Sequence, residues 1–285
     1  MADGTSVEIR VLAHVGALSL LGITLIAAPT RAYAQGGGAD TFFRASDIAW
    51  AGAFAIGAYG VSQFDPRIAK YFQQPEHQRN RAMRSVANAF THVQETTLTI
   101  GGILTYGVAR LAGARDVEVV ALHATESIVA SSLTSQVIRG PLGRARPKDA
   151  TPIFEDQYEF HWFDGFGHFQ YRAFPSIHSA SAFAAATAIV TETHYRSPRS
   201  TWYVAPLAYT IAASPGYARM YLGQHWASDI FMGAFVGAFY GQRVVSYAHA
   251  HPQNKVDNFF LRPYQPGLSL SPQRGGALVA YRLVF

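Results

Sequence analysis

The sequence predicts an all-α protein, a helical bundle of about six core helices with one long loop inside it. Three observations carry that prediction. Apolar residues recur at helical spacing along most of the chain, strand-like alternation is confined to residues 275–285, and residues 139–175 are rich in Gly, Pro, Asp and aromatics with no steady period. At 285 residues the chain can bury a sizeable core, and one large domain is expected.

In chain order, Arg10 precedes an apolar run from Val11 to Ala28, and Ala32-Tyr33-Ala34 gives a small-x-small site before Gln35. That pattern resembles a secretory signal peptide over residues 1–34. Three consecutive glycines make residues 35–45 a flexible leader. The helical body is expected over residues 46–250, and 251–285 form a C-terminal extension with a terminal strand. Within the body, Ser46 and Asp47 can cap a helix to Ser62, and Asp65-Pro66 can open a short one to Phe72. Further helices are expected over 79–91, 94–111, 117–138, 176–193, 201–213 and 226–249. The loop at 139–175 separates the fifth from the sixth. Its aromatics (Phe160, Trp162, Phe163, Phe166, Phe169, Tyr171) argue that it is ordered and borders a site.

Composition narrows the function classes. The hydrophobic fraction is 49% and the charged fraction 14%, yet mean hydropathy is only +0.06. Most helical segments fall short of the roughly 20 apolar residues of a bilayer span, and 117–138 contains Glu118, His123 and Glu126. Each acid at the centre of a membrane would cost about 2.5–3.5 kcal/mol. A soluble or membrane-associated exported protein, on the periplasmic side of the cell envelope, is the expectation. Absence of cysteine excludes thiol catalysis, thiolate metal sites and disulfides. No histidine pair has zinc spacing: His161 and His168 lie in the loop, His249 and His251 at the end of the body, and no metal is expected. Of the 23 basic residues only Lys70, Lys148 and Lys255 are lysine. Arginine's planar fork suits phosphate oxygens. Nucleic acid is not expected as a partner, because the one dense basic run, Arg79, Arg81 and Arg84, has no stacking aromatics beside it.

Three clusters carry chemistry: Arg139 with Arg146-Pro147; Pro175-Ser176-Ile177-His178; and Arg219 with His225 and Asp229. Taken singly, the arginines read equally as surface charges, Pro-Ser as an ordinary N-cap, and His225 with Asp229 as a same-face helical pair. Taken together they supply what a phosphate ester requires: several cationic donors, an in-line nucleophile and a proton donor for the leaving oxygen. Helix N-terminal amides near Ser176 would add to the anion site.

On these residues the sequence resembles the type 2 phosphatidic acid phosphatase superfamily, which includes bacterial class A acid phosphatases, lipid phosphate phosphatases and vanadium haloperoxidases. The first family motif, Lys, six residues, Arg-Pro, corresponds to Arg139 through Arg146-Pro147. The second, Pro-Ser-Gly-His, corresponds to Pro175 through His178; the third, Ser-Arg, five residues, His, three residues, Asp, to Ala218-Arg219, His225 and Asp229. The resemblance implies that His225 attacks phosphorus to form a phosphohistidine, that Asp229 holds its other ring nitrogen, and that His178 protonates the leaving oxygen and later activates water. Arg139, Arg146, Arg219, Ser176 and the Ile177 N–H would hold the phosphate oxygens, with no metal or cofactor. The implied substrate is a phosphomonoester or a lipid phosphate or diphosphate, with a membrane surface as a further partner. A vanadate-dependent haloperoxidase and a non-catalytic anion-binding envelope protein are the alternatives. Three departures bear on the pocket: Arg139 for lysine is bulkier and forked, Ile177 for glycine restricts the backbone, and Ala218 for serine removes a hydroxyl.

Overall fold

The computed structural model describes residues 41–262, 268–273 and 276–281. The expected signal peptide and residues 35–40 of the leader lie outside them. The architecture is all-α. Ten α-helices are described: α1 Ala45–Ser62, α2 Asp65–Gln73, α3 Pro75–Arg79, α4 Arg81–Thr91, α5 Glu95–Leu111, α6 Arg115–Leu142, α7 Ile177–Arg196, α8 Thr201–Tyr221, α9 Ala227–Ala250 and α10 Lys255–Phe260. A two-stranded antiparallel hairpin, β1 Leu268–Gln273 and β2 Gly276–Tyr281, follows them. Within the alternating segment, Gly276–Tyr281 form the second strand of a hairpin whose first strand, which also alternates at Leu268-Ser269-Leu270-Ser271, was not expected.

Local chemistry explains where the elements depart from expectation. Helix α1 is capped by Arg44, not by Ser46 or Asp47; Asp47 sits inside the first turn and its carboxylate accepts the Arg44 N–H at 2.8 Å. The expected helix over 79–91 starts at Arg81, and Arg79 ends the separate α3, because the Asn80 backbone leaves the helical region and its side chain accepts the N–H groups of Ala82 and Met83 to start α4 afresh. Helix α6 continues through Arg139 to Leu142, so the irregular loop begins at Gly143 rather than at residue 139. Gly143 takes φ 59°, and a Cβ there would stand 1.7 Å from the His161 carbonyl oxygen. Only glycine ends the helix this way. Helix α8 runs past residue 213, through Pro215, to Tyr221, which puts Arg219 in its last turn. Both arginines therefore lie at helix C-termini, where the backbone dipole favours a cation.

Helix α7 is the axis of the bundle. It is rich in alanine and serine, and it packs against α5, α6, α8 and α9. Helices α6 and α8 run antiparallel to it, with His123 meeting Glu192 and Tyr209 meeting Thr187. Helix α9 runs parallel and very close: a Cβ at Gly233, Gly237 or Gly241 would come within 2.4, 2.1 and 2.6 Å of the carbonyl oxygens of Ser176, Ala180 and Ala184. Glycine every fourth residue is what lets the two backbones touch. Phe54 of α1 stacks on Phe235 at 3.9 Å, and buried Arg243 of α9 pairs with Asp47. No described helix is long and apolar enough to cross a membrane. Near the start of α6, Glu118 meets Arg110 at 2.7 Å and Arg115 at 3.1 Å, while His123 meets Glu192 and Asp257.

Gly237→Val should lower the unfolding free energy by about 1–3 kcal/mol, because the overpacked α7–α9 contact must open. Gly52→Ala, where a Cβ meets nothing within 4 Å, should instead raise it by about 0.5–1 kcal/mol. Urea titrations of the two variants check the pair, and a Gly237→Val protein as stable as the parent would contradict the packing described.

Candidate active site

Because α6 and α8 run antiparallel to α7, and α9 parallel to it, one end of the bundle gathers two helix C-termini and two helix N-termini. Arg139 comes from the last turn of α6, Ser176 and His178 from the start of α7, Arg219 from the last turn of α8, and Asp229 from the first turn of α9. Arg146 and His225 come from the adjoining loops. The Ser176 N–H donates to the Asp229 carbonyl oxygen at 3.0 Å, locking the two helix starts together.

The two imidazoles face each other with ring centroids 6.1 Å apart. His225 is 2% exposed, and its Nδ1 stands 3.5 Å from Asp229 Oδ2. That separation is an ion-pair distance without hydrogen-bond alignment, and the Ala173 backbone favours the charged ring against the arginines. Nε2 is the nitrogen turned away from the carboxylate, and it is buried. Asp229 is wholly buried, and Oδ2 accepts the Trp226 N–H at 2.7 Å. Burial raises its pKa, and the guanidinium of Arg144, at 2.5 Å from Oδ1, works against the rise.

Across the pocket, His178 Nε2 lies 2.5 Å from Arg219 Nη2. Since guanidinium only donates, Nε2 accepts, and the neutral His178 carries its proton on Nδ1. Burial first, then Arg219, His225, Arg139 and Arg146, push its pKa down to about 2. His225 is driven well below the ordinary imidazole range by burial and then by Arg146, Arg139 and Arg219. These same three arginines acting on both rings is the electrostatic signature of one shared cluster.

Arg146 is held from two sides. Arg146 donates from Nε to the Phe169 carbonyl at 3.0 Å and from Nη1 to Gln224 Oε1, with the Phe169 ring 3.8 Å from its guanidinium carbon. Burial lowers Arg146 and Arg139 to about 10 each. Nε and Nη1 of Arg139 and Nε of Arg219 are buried with no hydrogen-bond partner among the described residues. Buried, unpaired guanidinium donors beside neutral imidazoles form a site of strongly positive potential, suited to a compact oxyanion of more than one charge.

The second motif supplies backbone donors. Ser176 caps α7 by accepting the Ser179 N–H at 3.4 Å, and the Ser179 hydroxyl also donates to it at 3.3 Å, which leaves the Ser176 hydroxyl proton for another acceptor. The N–H groups of Ile177 and His178 open the helix and have no acceptor within it. The Ile177 side chain is buried, 3% exposed, in place of the expected glycine. Every residue named from sequence is thus at this end of the bundle. Sequence reasoning missed Arg144, Gln224 and Glu95. Arg144 lies inside the first motif's spacing and reads there as one more loop charge; Gln224, next to His225, had no pattern to mark it. Glu95 opens α5 and draws the Arg139 and Arg219 pKa values upward against burial. A cavity of about 360 Å³ at the opposite end, lined by His123, His249 and Asp257 among others, has its imidazoles matched by Glu192 and Asp257.

Residues 120–252 match the PAP2 superfamily. The chain is 43% identical over 70 residues to the lipid A 1-phosphatase of Porphyromonas gingivalis, a match that covers 25% of this chain and 15% of that protein's length. Among solved structures it is similar to the transmembrane PAP2 type phosphatidylglycerolphosphate phosphatase from Bacillus subtilis, with a TM-score of 0.49 and 18% identity over 72% of this chain and 98% of that one.

Inorganic phosphate or vanadate should raise the melting temperature, with about 2.7 kcal/mol of stabilisation at a hundred times Kd, and Arg146→Ala should remove most of that rise. Because both imidazoles are held neutral, the unfolded chain binds more protons below the free-imidazole value of 6.5. Stability should therefore fall as pH drops from 6.5 toward 2. The decline should be shallower in the double variant His178→Asn, His225→Asn, and equal slopes in pH-dependent unfolding would count against neutral imidazoles.

Proposed function

With residues 120–252 of the chain matching the PAP2 superfamily, we propose that this protein is a metal-independent phosphohydrolase that works through a phosphohistidine on His225. The observation that carries the reading is the pairing of His178 and His225 beside Arg139, Arg146 and Arg219, with buried donors of Arg139 and Arg219 that make no hydrogen bond among the described residues.

The chemistry follows from the geometry. A bound phosphate ester takes the donors of Arg139, Arg146 and Arg219, the Ser176 hydroxyl and the Ile177 N–H. The Nε2 lone pair of His225 attacks phosphorus while the bond from phosphorus to the ester oxygen breaks; the ring becomes a cationic phosphoimidazole, balanced by Asp229. Arg219, drawn to the phosphate, releases His178 Nε2, and the dianion beside it offsets the positive field that kept His178 neutral. His178 then takes up a proton and delivers it to the leaving oxygen. In the second step neutral His178 accepts a proton from water as the water oxygen attacks phosphorus. The N–P bond breaks, and inorganic phosphate and neutral His225 are restored.

The substrate class is a phosphomonoester on an amphiphilic alcohol, a lipid phosphate or diphosphate. Trp162, Phe163, Phe166 and Phe169 are each more than 60% exposed on the loop that carries Arg146, so the aromatics border the cluster instead of filling a core. Phe166 packs over Gly140, beside Arg139, and Phe169 over Arg146. An apolar rim around a cationic pocket fits a headgroup phosphate with acyl or prenyl chains beyond it. The N-terminal export pattern supports a reaction on the periplasmic face of the envelope. Ile177 is compatible with catalysis, because its side chain is buried away while its N–H stays at the helix start.

Phosphate release from an aryl phosphate, phosphatidic acid, phosphatidylglycerol phosphate and a polyprenyl diphosphate tests the reading. His225→Ala should lose activity by about a thousandfold or more, and Arg219→Ala by about 100- to 1000-fold. Full activity in His225→Ala would refute the mechanism, and vanadate-dependent bromide oxidation without phosphate release would point to a haloperoxidase.

A further inference from the structure

Behind Asp229 lies a second layer of charge. Arg144 is 3% exposed, and its fork is divided between two carboxylates: Nη1 reaches Asp229 Oδ1 at 2.5 Å and Nη2 reaches Asp65 Oδ2 at 2.9 Å. Ser228 closes the ring. Its hydroxyl accepts from Arg144 Nη1 at 2.8 Å and donates to Asp65 Oδ2, while its N–H donates to Asp65 Oδ1 at 2.9 Å. Arg144 Nε is anchored on the Gln157 carbonyl at 2.9 Å, and the Phe160, Phe174 and Trp226 rings surround the guanidinium. Asp65 is fully buried at the start of α2, far in sequence from all three motifs.

We infer that Asp65 and Arg144 are positioning residues for the His225–Asp229 pair, with Arg144 fixing the Asp229 carboxylate and Asp65 cancelling the charge that Arg144 would otherwise withdraw from it. The inference rests on the proposed role of His225. Its logic is charge balance. Arg144 alone would neutralise Asp229 and leave little negative potential for the cationic ring formed on attack. With Asp65 present the buried group of three carries a net negative charge, and that charge faces His225. Burial raises Asp65 to about 6, with Arg144 opposing the rise, so the group is strained toward protonation and sensitive to its partner. His225 is faced by Arg146, Arg139, Arg219, His178 and Asp229; the three arginines oppose its protonation, and the Ala173 backbone favours it. Asp229 is the carboxylate that pairs with the ring, so loss of negative charge behind it weakens that pair.

The test uses the full chain carrying ¹⁵N-labelled histidine and compares wild type, Asp65→Asn, Asp65→Glu, Arg144→Gln and the double variant Asp65→Asn, Arg144→Gln. In Asp65→Asn, kcat for an aryl phosphate should fall about 10- to 100-fold while KM and inhibition by inorganic phosphate stay within about twofold. The acid limb of the kcat/KM profile and the titration of the His225 ring should both move to lower pH. Asp65→Glu should recover part of the loss, and the double variant should lose less than the product of the two singles. Should Asp65→Asn not fold, Ser228→Ala removes the hydroxyl bridge but keeps every charge, and a several-fold loss confined to kcat is expected. A folded Asp65→Asn protein with unchanged kcat and an unchanged His225 titration overturns the inference, as does an equal loss in phosphate affinity, which would mean a collapsed pocket. If wild type cleaves no ester, the proposed hydrolysis falls, and the His225 titration alone decides the positioning role.

Discussion

The contact between α7 and α9 is the constraint on which the remaining structure depends. Two parallel helices meet backbone to backbone because Gly233, Gly237 and Gly241 present no side chain to the carbonyls of Ser176, Ala180 and Ala184. Parallel helices in contact place both N-termini at the same end, where each backbone dipole presents its positive pole. Ser176 then bonds directly to the Asp229 carbonyl, and the second and third motifs become one surface. Any side chain at those glycines would separate the helices and pull the phosphate-facing amides of α7 away from the histidine of the next loop.

Around that contact the protein concentrates charge that would be costly without compensation. Arg139, Arg144, Arg146 and Arg243 are all nearly fully buried. They fall into two groups. Arg144 and Arg243 are matched by carboxylates and act as internal ties between distant segments, α1 to α9 and the loop to α2 and α9. Arg139 and Arg146, with Arg219, keep donors or field for something outside the fold, and they add to the burial that depresses both histidines. The division shows how one residue type serves both purposes: a carboxylate within reach makes an arginine structural, and its absence makes it a ligand site.

The far end of the bundle answers the same need with the opposite result. Glu192 takes His123, His249 and Arg196, and Asp257 of α10 takes the other nitrogen of His123. His123 is raised to about 9 by its two acidic partners against the opposing effect of burial. Charge there is closed on itself and ties α6, α7, α9 and α10 together.

The amino-acid sequence by itself determined the helical class and the three motifs, because apolar periodicity and exact residue spacing are local properties. It also marked Arg139, Arg146, Ser176, His178, Arg219, His225 and Asp229 as candidates. It misjudged helix ends where a single backbone choice decides them, at Asn80, Gly143 and the passage of α8 through Pro215, since propensity is weaker than the packing that carries a helix onward. Only the tertiary structure decided which charges pair. Asp65 and Arg144 sit 79 positions apart and neither is a residue of the three motifs; whether an arginine is a tie or a ligand depends on what lies within about 3 Å of it, a distance that chain order does not encode.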